Sequence, residues 1–380
     1  MRRRNHYGYG AYRGRSKFRT FLKFVIAVLA VVLALLVGAF FFLQRYMVVS
    51  STGGIYFDLP FLDREEEPAP SGGGAEETPP LVVVTPSPEP TPEETPEPDP
   101  VYTRAVSLPD SLISGGGVQS LYAAGGEALA AYTGGGSDAV PILTMKGIDG
   151  LLGYASGQTV AQAVGASSGD AARNGDLTAL CSAMDTAAYV SCFRDNTAPY
   201  ENNRLALRTS IGNWRGPGEI RWMTPENADV RDYLAGVCGE LAELGFGEII
   251  LDYAAFPTEG DLSLILTGDR YNPDTFSQTV EAFYQQVRQA IGTGEGAPLL
   301  SIVTDKTTLE QGSSALSGQT LSGLCAAADR LYVKLDGGDP ADYYPALREA
   351  GMENPEEDLV VILDQAPSGD LPYSWAVLPK

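Results

Sequence analysis

Beyond residue 100, short apolar runs alternate along the chain with segments of helical periodicity. The strand-like runs lie at 103–108, 140–145, 188–193, 248–252, 299–304, 331–336, 359–364 and 374–378. The helix-like segments lie at 118–132, 177–184, 227–244, 273–291, 321–328 and 342–350. Apolar strands that alternate with helices are typical of parallel strands whose outer face the helices cover. The sequence therefore predicts an α/β domain built on a parallel sheet.

The number of strand-like runs indicates the architecture of this domain. Eight strands within residues 101–380 favour a (β/α)8 TIM-like barrel, with a doubly wound open sheet as the alternative. The clearest helix is 227–244, where apolar residues recur every three or four positions and Gly245 follows as a stop signal. The pattern shows no helix after the last strand, which departs from an ideal eightfold repeat.

Charged residues stand at the ends of several predicted strands. They are Lys146, Asp149, Arg194, Asp195, Asp252, Asp305, Lys306, Lys334, Asp336 and Asp364. In a TIM-like barrel the functional groups gather at the carboxyl ends of the strands, so these residues are candidates for a site. Because aspartate also caps strand-to-helix turns, a structural role is the alternative for each aspartate. That alternative is weaker for Asp252, whose strand is otherwise strongly apolar.

Aromatic residues also cluster near the predicted strand ends. They are Tyr200, Trp214, Trp222, Tyr253 and Trp375. An aromatic ring can stack on a sugar ring, and it can equally well pack in the core. Trp214 and Trp222 lie in a long insert after the third strand, NWRGPGEIRW, and are the stronger candidates for a sugar platform.

Residues 24–43 form an apolar run of twenty residues without a charged or amide side chain. As a helix this run would be about 30 Å long, which matches the hydrocarbon core of a bilayer. A cleaved signal peptide is the alternative, but its apolar region usually has about 7–15 residues. Eight basic residues precede the run, and only Arg45 and Arg64 follow it closely. We therefore expect a single-pass membrane protein with a cytoplasmic tail at 1–23, a transmembrane helix at 24–43 and an extracytoplasmic remainder.

Two connecting segments separate this helix from the barrel. Residues 44–62 form a juxtamembrane segment in which a short strand pair is expected. Residues 63–100 combine proline with acidic residues, as in TPSPEPTPEETPEPDP. Such a composition blocks helix and sheet and favours an extended chain, which predicts a disordered spacer. A proline-rich ligand for another module is the alternative.

The charge of the chain limits its partners. The formal net charge is −22, although the first 23 residues hold eight basic groups and no acidic one. Beyond them lie 18 basic and 48 acidic residues, so this part of the chain carries a net charge of −30. A domain this acidic repels a phosphate backbone, and we expect no nucleic-acid partner.

The chain contains a single histidine, His6, which lies in the basic tail. This excludes a Ser-His-Asp triad, a Cys-His pair or a histidine-rich zinc site in the barrel, so we expect neither a metal nor another cofactor. An enzyme built on these residues would use carboxylates, lysine, tyrosine or cysteine. The four cysteines stand in apolar surroundings and are expected to be free thiols, with disulfides as the alternative outside the cell. They are Cys181, Cys192, Cys238 and Cys325.

The segment 188–257 resembles a known family. Its phrase LAELGFGEIILDYAAFP is similar to the ELGF-EI--DY--FP signature of the putative glycoside hydrolases with a TIM-barrel domain. The phrases YVSCFRDN, IRWMTPENADVRDYL and ILTMKGIDGLLGYAS resemble further parts of that family. The apolar run followed by GGIYFDLPFL resembles its membrane-anchored Gram-positive members. The resemblance covers residues 140–257 well and residues 258–380 poorly.

The resemblance implies an extracytoplasmic barrel that acts on a polysaccharide or glycan, with Asp252 as the leading catalytic residue. Glycoside hydrolysis requires two carboxyl groups and no histidine, which agrees with the composition. The expected partners of Asp252 are Asp336 and Asp364, with Asp195 and Asp305 as further candidates. The expected substrate-binding residues are Lys146, Arg194, Asp195, Tyr253, Trp214, Trp222 and Asp305.

The chain departs from the family pattern at several positions. Ala255 stands where the family has an arginine two residues after Asp-Tyr, and LYVKLDGGDP replaces the usual sixth-strand phrase. Only Asp305 could stand in for the acidic residue of the fifth strand. Two hypotheses therefore remain: a membrane-anchored glycoside hydrolase of cell-envelope or environmental polysaccharide, or a catalytically degenerate barrel that binds a glycan or a protein.

Overall fold

A computed structural model describes residues 47–49, 55–57, 100–124 and 139–380. The predicted cytoplasmic tail at 1–23 and the predicted transmembrane helix at 24–43 lie outside the described residues, as does nearly all of the predicted spacer at 63–100. Among the residues described, none of the helices combines the length and the apolar character needed to cross a bilayer.

The chain divides into two compact units, of which the first comprises Met1–Glu93. Its described part is a pair of short strands, β1 (Met47–Val49) and β2 (Ile55–Phe57). They pair antiparallel, with Val48 opposite Tyr56. The strand pair expected within 44–62 is therefore present.

The second unit, Glu94–Lys380, is a closed barrel of eight parallel strands. The barrel strands are β3 (Arg104–Ser107), β4 (Val140–Lys146), β7 (Ala187–Ser191), β8 (Glu248–Asp252), β9 (Leu299–Thr304), β10 (Arg330–Val333), β11 (Leu359–Ile362) and β12 (Trp375–Val377). Each strand pairs with its neighbour in this order, and β3 pairs with both β12 and β4 to close the ring. The predicted barrel is confirmed, and the open sheet is excluded.

Helices cover the outside of the barrel. They are α1 (Gly117–Ala124), α2 (Thr159–Val164), α3 (Asn174–Ala183), α4 (Ala198–Glu201), α5 (Ala228–Glu243), α6 (Phe276–Ile291), α7 (Lys306–Gln311), α8 (Leu321–Ala327), α9 (Tyr344–Glu349) and α10 (Pro355–Asp358). Short 3-10 turns lie at Asp110–Leu112, Asn203–Leu205, Pro217–Glu219, Leu262–Leu264, Pro273–Thr275 and Pro340–Tyr343. The side chain of Asn227 caps α5, and Gly245 follows the helix with a φ of 95°, as its stop signal predicts.

Two strands outside the barrel ring, β5 (Leu152–Tyr154) and β6 (Ser167–Ala172), extend the sheet beside β4. β5 pairs antiparallel with β4 through Lys146 and Leu152, and β6 pairs parallel with β5. The pattern did not predict them, because β5 has only three residues and β6 (SSGDAA) lacks the large apolar side chains of a strand.

The barrel interior holds a small apolar layer that includes Tyr189, Ile250 and Tyr332. Towards the amino ends of the strands, the buried Glu248 accepts a 2.7 Å hydrogen bond from Tyr332 and another from Ser301. Arg330 forms a 3.0 Å ion pair with the same carboxylate. These partners offset the cost of burying the charge, so Glu248 holds this end of the barrel together. A functional site is therefore sought at the carboxyl ends of the barrel strands.

Candidate active site

Asp252 is the last residue of β8 and is partly buried at the carboxyl rim of the barrel. Its Oδ2 accepts a 2.7 Å hydrogen bond from the Tyr189 hydroxyl on the neighbouring strand β7. Its Oδ1 accepts a 2.7 Å hydrogen bond from the backbone N–H of Tyr253. The two bonds fix both carboxylate oxygens, so Asp252 is held in one orientation towards the rim.

The environment of Asp252 shifts its acidity. Burial raises the pKa of its carboxyl group, because a low-dielectric surrounding disfavours the charged form. The hydrogen bonds from Tyr189 and Tyr253 and the positive charge of Arg194 oppose this rise and leave it incomplete. The net result is a carboxyl group that keeps its proton to a higher pH than a free aspartate does.

Tyr253 follows Asp252 with a φ of 48°, a left-handed backbone that non-glycine residues adopt rarely. Strain of this kind is often found at functional sites, and here it turns the N–H of Tyr253 onto Asp252. The Tyr253 hydroxyl accepts a 2.7 Å hydrogen bond from Nη1 of Arg194. The Trp222 ring packs edge-on against the Tyr253 ring at 5.8 Å between centroids. An aromatic and cationic wall therefore stands beside Asp252.

A cleft of about 220 Å³ opens at this point of the rim. Its lining residues come from the ends of β7, β8 and β9 and from the loops that follow them. They are Arg194, Pro217, Trp222, Asp252, Tyr253, Ala254, Ala255, Phe256, Thr258, Glu259, Val303, Thr304, Asp305, Ser317 and Gln319. Three of them, Asp252, Glu259 and Asp305, are carboxylates, so the cleft brings together the groups that a two-carboxylate mechanism requires.

The two carboxylates that share the cleft with Asp252 differ in their partners. Asp305 caps α7, because its Oδ1 accepts hydrogen bonds from the backbone N–H of Thr308 at 2.7 Å and from the Thr308 hydroxyl at 3.0 Å. Glu259 is exposed and, within the described part of the chain, forms no ion pair. Burial raises the pKa of the Tyr253 hydroxyl, and the charges of Asp252 and Glu259 raise it further. Tyr253 therefore lies within the field of both carboxylates.

Glu259 was missed by the sequence analysis. It lies seven residues beyond Asp252 in the loop that follows β8, where no strand or helix period marks its position. The available signal was the continuation of the family-like phrase into FPTEGD, whose only glutamate is Glu259.

Asp336 and Asp364 do not line this cleft. Both are exposed, and Asp364 forms a 2.8 Å ion pair with Lys334, whose side chain is itself 54% exposed. β10 and β11 end at Val333 and Ile362, earlier than the predicted runs, so both aspartates stand in the loops beyond them. Asp336 has a φ of 49° in such a turn. Neither residue therefore lies with Asp252, Glu259 and Asp305 in the lining of this cleft.

Lys146 and Asp195 form a 2.7 Å ion pair in which both side chains have no exposed area. Lys146 also donates to the backbone carbonyl of Ser191 at 2.8 Å. Asp195 Oδ1 accepts from the backbone N–H groups of Thr197 and Ala198 at 2.8 Å. The pair anchors the loop after β7 to β4, and this loop carries Arg194 into the cleft.

The two candidate tryptophans occupy different positions. Trp222 lines the cleft and donates its indole N–H to the carbonyl of Ala255 at 3.3 Å. Trp214 is 1% exposed and donates to the carbonyl of Asp261 at 2.9 Å. Trp214 therefore fastens the insert after β7 to the loop after β8, and Trp222 is the one beside Asp252.

Ala255, at the position of the family's arginine, is buried at the cleft wall. Arg194 supplies a cation in the same cleft, and its charge lowers the pKa of Asp252. The site therefore contains a guanidinium group, that of Arg194, although this chain has alanine where the family has arginine.

The four cysteines are free thiols, as predicted. Cys192 and Cys238 are buried, and burial raises the pKa of both thiol groups. A buried thiol with a raised pKa is a poor nucleophile.

A family model described as "Putative glycosyl hydrolase domain" matches residues 138–331, which is 194 of the 380 residues. The matched range contains Asp252, Tyr253, Glu259 and Asp305. Among curated proteins, none gives a significant match to the chain.

Several solved structures are similar to the chain. A hypothetical protein from Ruminiclostridium thermocellum is 21% identical with a TM-score of 0.41, covering 52% of this chain and 96% of that one. The glycoside hydrolase domain of PelA from Pseudomonas aeruginosa is 17% identical with a TM-score of 0.32, covering 55% and 81%. The alpha-galactosidase from Thermus thermophilus is 14% identical with a TM-score of 0.36, covering 60% and 41%.

Proposed function

The chain belongs to the family described as "Putative glycosyl hydrolase domain", and we propose that it hydrolyses glycosidic bonds with Asp252 and Glu259 as its paired carboxyl groups. The observation that carries this proposal is the placement of both residues in one cleft at the carboxyl rim of the barrel. TIM-barrel enzymes build their active sites at this rim.

In the proposed mechanism Asp252 is the general acid. Its raised pKa lets it hold a proton, which it transfers to the oxygen of the leaving sugar as the glycosidic bond breaks. Glu259, exposed and without an ion pair among the described residues, acts as the negatively charged partner. It either activates a water molecule or attacks the sugar carbon directly, which are the two established roles of the second carboxylate.

The walls of the cleft suit a sugar. The half-buried Tyr253 supplies aromatic surface, the buried Trp222 packs behind it, and Arg194 supplies hydrogen-bond donors beside it. Carbohydrate rings present apolar C–H faces and polar edges, and such a combination of side chains recognises both.

We further propose that the barrel works outside the cytoplasm, tethered by a helix at 24–43 and separated from the membrane by the spacer at 63–100. The apolar run, the basic residues before it and the proline-rich composition after it support this arrangement. The substrate would then be a polysaccharide of the cell envelope or of the surroundings.

The alternative function is a glycan-binding barrel without catalysis, which the replacement of the family's arginine by Ala255 favours. The two functions are distinguished by incubating the full-length chain with a panel of polysaccharides and measuring new reducing ends and binding in parallel. A hydrolase releases reducing ends, and Asp252→Asn stops the release while binding persists. Binding to a glycan without any release by the wild-type chain would instead support the binding module.

A further inference from the structure

A second concavity lies on the insert between β7 and α5, and it has a volume of about 1010 Å³. The charged and aromatic residues of its lining that bear on a ligand are Tyr200, Glu201, Arg208, Arg215, Glu219 and Arg221. We call this concavity the insert groove. It is larger than the cleft at Asp252, and none of its lining residues belongs to that cleft.

The insert groove is locally basic in an acidic protein. Three arginines, Arg208, Arg215 and Arg221, line it together with two glutamates, whereas the whole chain has a formal net charge of −22. Arg215 forms a 3.2 Å ion pair with Glu219. Arg208 and Arg221 are instead held by neutral amide oxygens, those of Asn213 and Asn196, each at 2.6 Å. Within the described residues no carboxylate forms an ion pair with either guanidinium, so both groups are held in place by neutral partners.

The backbone of the insert places further like charges together. Arg215 and Arg221 are partners in an antiparallel bridge. Like charges opposite one another in such a pair are destabilising. The guanidinium of Arg221 also stacks on the Tyr200 ring at 4.7 Å, and that ring is 62% exposed. The groove therefore presents a guanidinium group next to an exposed aromatic ring.

The insert that lines the groove also contributes residues to the cleft. Pro217 and Trp222 of the same insert line the cleft, while Arg215 and Arg221 line the groove. Trp214 lines the groove and bonds to Asp261, two residues beyond the candidate catalytic residue Glu259. Neighbouring residues of one insert therefore build both the groove and the cleft.

We propose that the insert groove is a binding subsite for an anionic glycan, with Arg208 and Arg221 recognising its carboxylate or phosphate groups and Tyr200 stacking on a sugar ring. This proposal rests on the proposed function and names the substrate class of the same site. Planar guanidinium groups bind both kinds of anion through paired hydrogen bonds. The remainder of the barrel is acidic and repels such a chain, so recognition depends on this groove.

The test measures binding to full-length Asp252→Asn protein, in which turnover is blocked. The ligands are an oligogalacturonate, a poly(glycerol phosphate) and a neutral cello-oligosaccharide of matched length, titrated by calorimetry. We expect one of the anionic oligomers to bind at least about tenfold more tightly than the neutral one. The oligomer that binds identifies the anion as carboxylate or phosphate. Equal affinity for all three ligands would overturn the proposal.

The variants locate the binding. Combining Arg208→Gln with Arg221→Gln should weaken the binding of the anionic oligomer by about tenfold or more. Arg204→Gln is the matched control, since Arg204 is an exposed arginine of the same insert that does not line the groove. An equal loss in the control would show unspecific charge attraction and overturn the proposal. Should the double variant not fold, the corresponding lysine pair must weaken anionic binding more than neutral binding, and equal weakening would overturn it.

The failure of this subsite and the failure of the proposed function are distinguishable. Hydrolysis by the wild-type chain with no preference for anionic oligomers would overturn the subsite alone. Anionic binding that depends on Arg208 and Arg221, without hydrolysis of any glycan, would overturn the proposed function alone.

Discussion

The hydroxyl of Tyr189 donates a 2.7 Å hydrogen bond to Oδ2 of Asp252 across the neighbouring strands β7 and β8. This bond stabilises the charged carboxylate and opposes the rise in pKa that burial causes. Tyr189 thereby lowers the pH at which the proposed acid loses its proton.

Tyr189→Phe should raise the pKa of Asp252, because the charged form loses a donor while the protonated form loses little. An enzyme whose general acid is Asp252 loses activity as the pH rises through this pKa. The basic limb of the kcat/KM profile should therefore move to higher pH.

The control for this prediction is Tyr332→Phe, which removes a similar buried hydroxyl from the barrel interior, where it bonds to Glu248. The basic limb of that variant should not move. A Tyr189→Phe profile identical to that of the wild-type chain would show that another group acts as the acid.

The sequence predicted the eight barrel strands because buried apolar residues mark them, as in β8 with its fully buried Ile249, Ile250 and Leu251. It did not predict β5 and β6, which are held by pairing beside β4 rather than by apolar side chains of their own. A local sequence pattern predicts which residues are buried better than it predicts which strands pair with one another.

The candidate site was predicted in the same uneven way. Arg194, Asp252, Tyr253 and Asp305 stand at or next to strand ends, and barrel geometry brings them into one cleft. Asp336 was expected among them, but β10 ends at Val333, and Asp336 lies in the loop beyond it and does not line the cleft. Loop paths carry no periodic signal, which explains both this difference and the missed Glu259.

The buried ion pair of Lys146 and Asp195 gives a prediction about stability. Lys146→Met leaves the Asp195 charge buried without its partner, and it should lower the free energy of unfolding by about 3–5 kcal/mol. Urea denaturation followed by circular dichroism measures the change. Arg173→Gln is the control, because the Arg173–Asp176 pair is exposed and should contribute less than about 1 kcal/mol. Equal effects of the two substitutions would contradict a structural role for Lys146.

The topology predicted from the charge asymmetry around 24–43 can be tested with a reporter fused after Lys380. A reporter enzyme that is active only outside the cytoplasm should be active when it is fused at this position. A cytoplasm-specific reporter at the same position should be inactive. The opposite pair of results would contradict the proposed anchor and localisation.

The central claim, that Asp252 and Glu259 act together, is tested most directly by a double-mutant cycle on kcat with a glycan that the wild-type chain cleaves. Asp252→Asn and Glu259→Gln should each lower kcat by about 10²–10⁴-fold. The kcat of the double variant should be little lower than that of the less active single variant, because the effects of residues that act as a unit are not additive. Asp364→Asn, at an exposed aspartate outside the cleft, should leave kcat unchanged. Wild-type kcat in Glu259→Gln, or losses that simply multiply in the double variant, would contradict the paired mechanism.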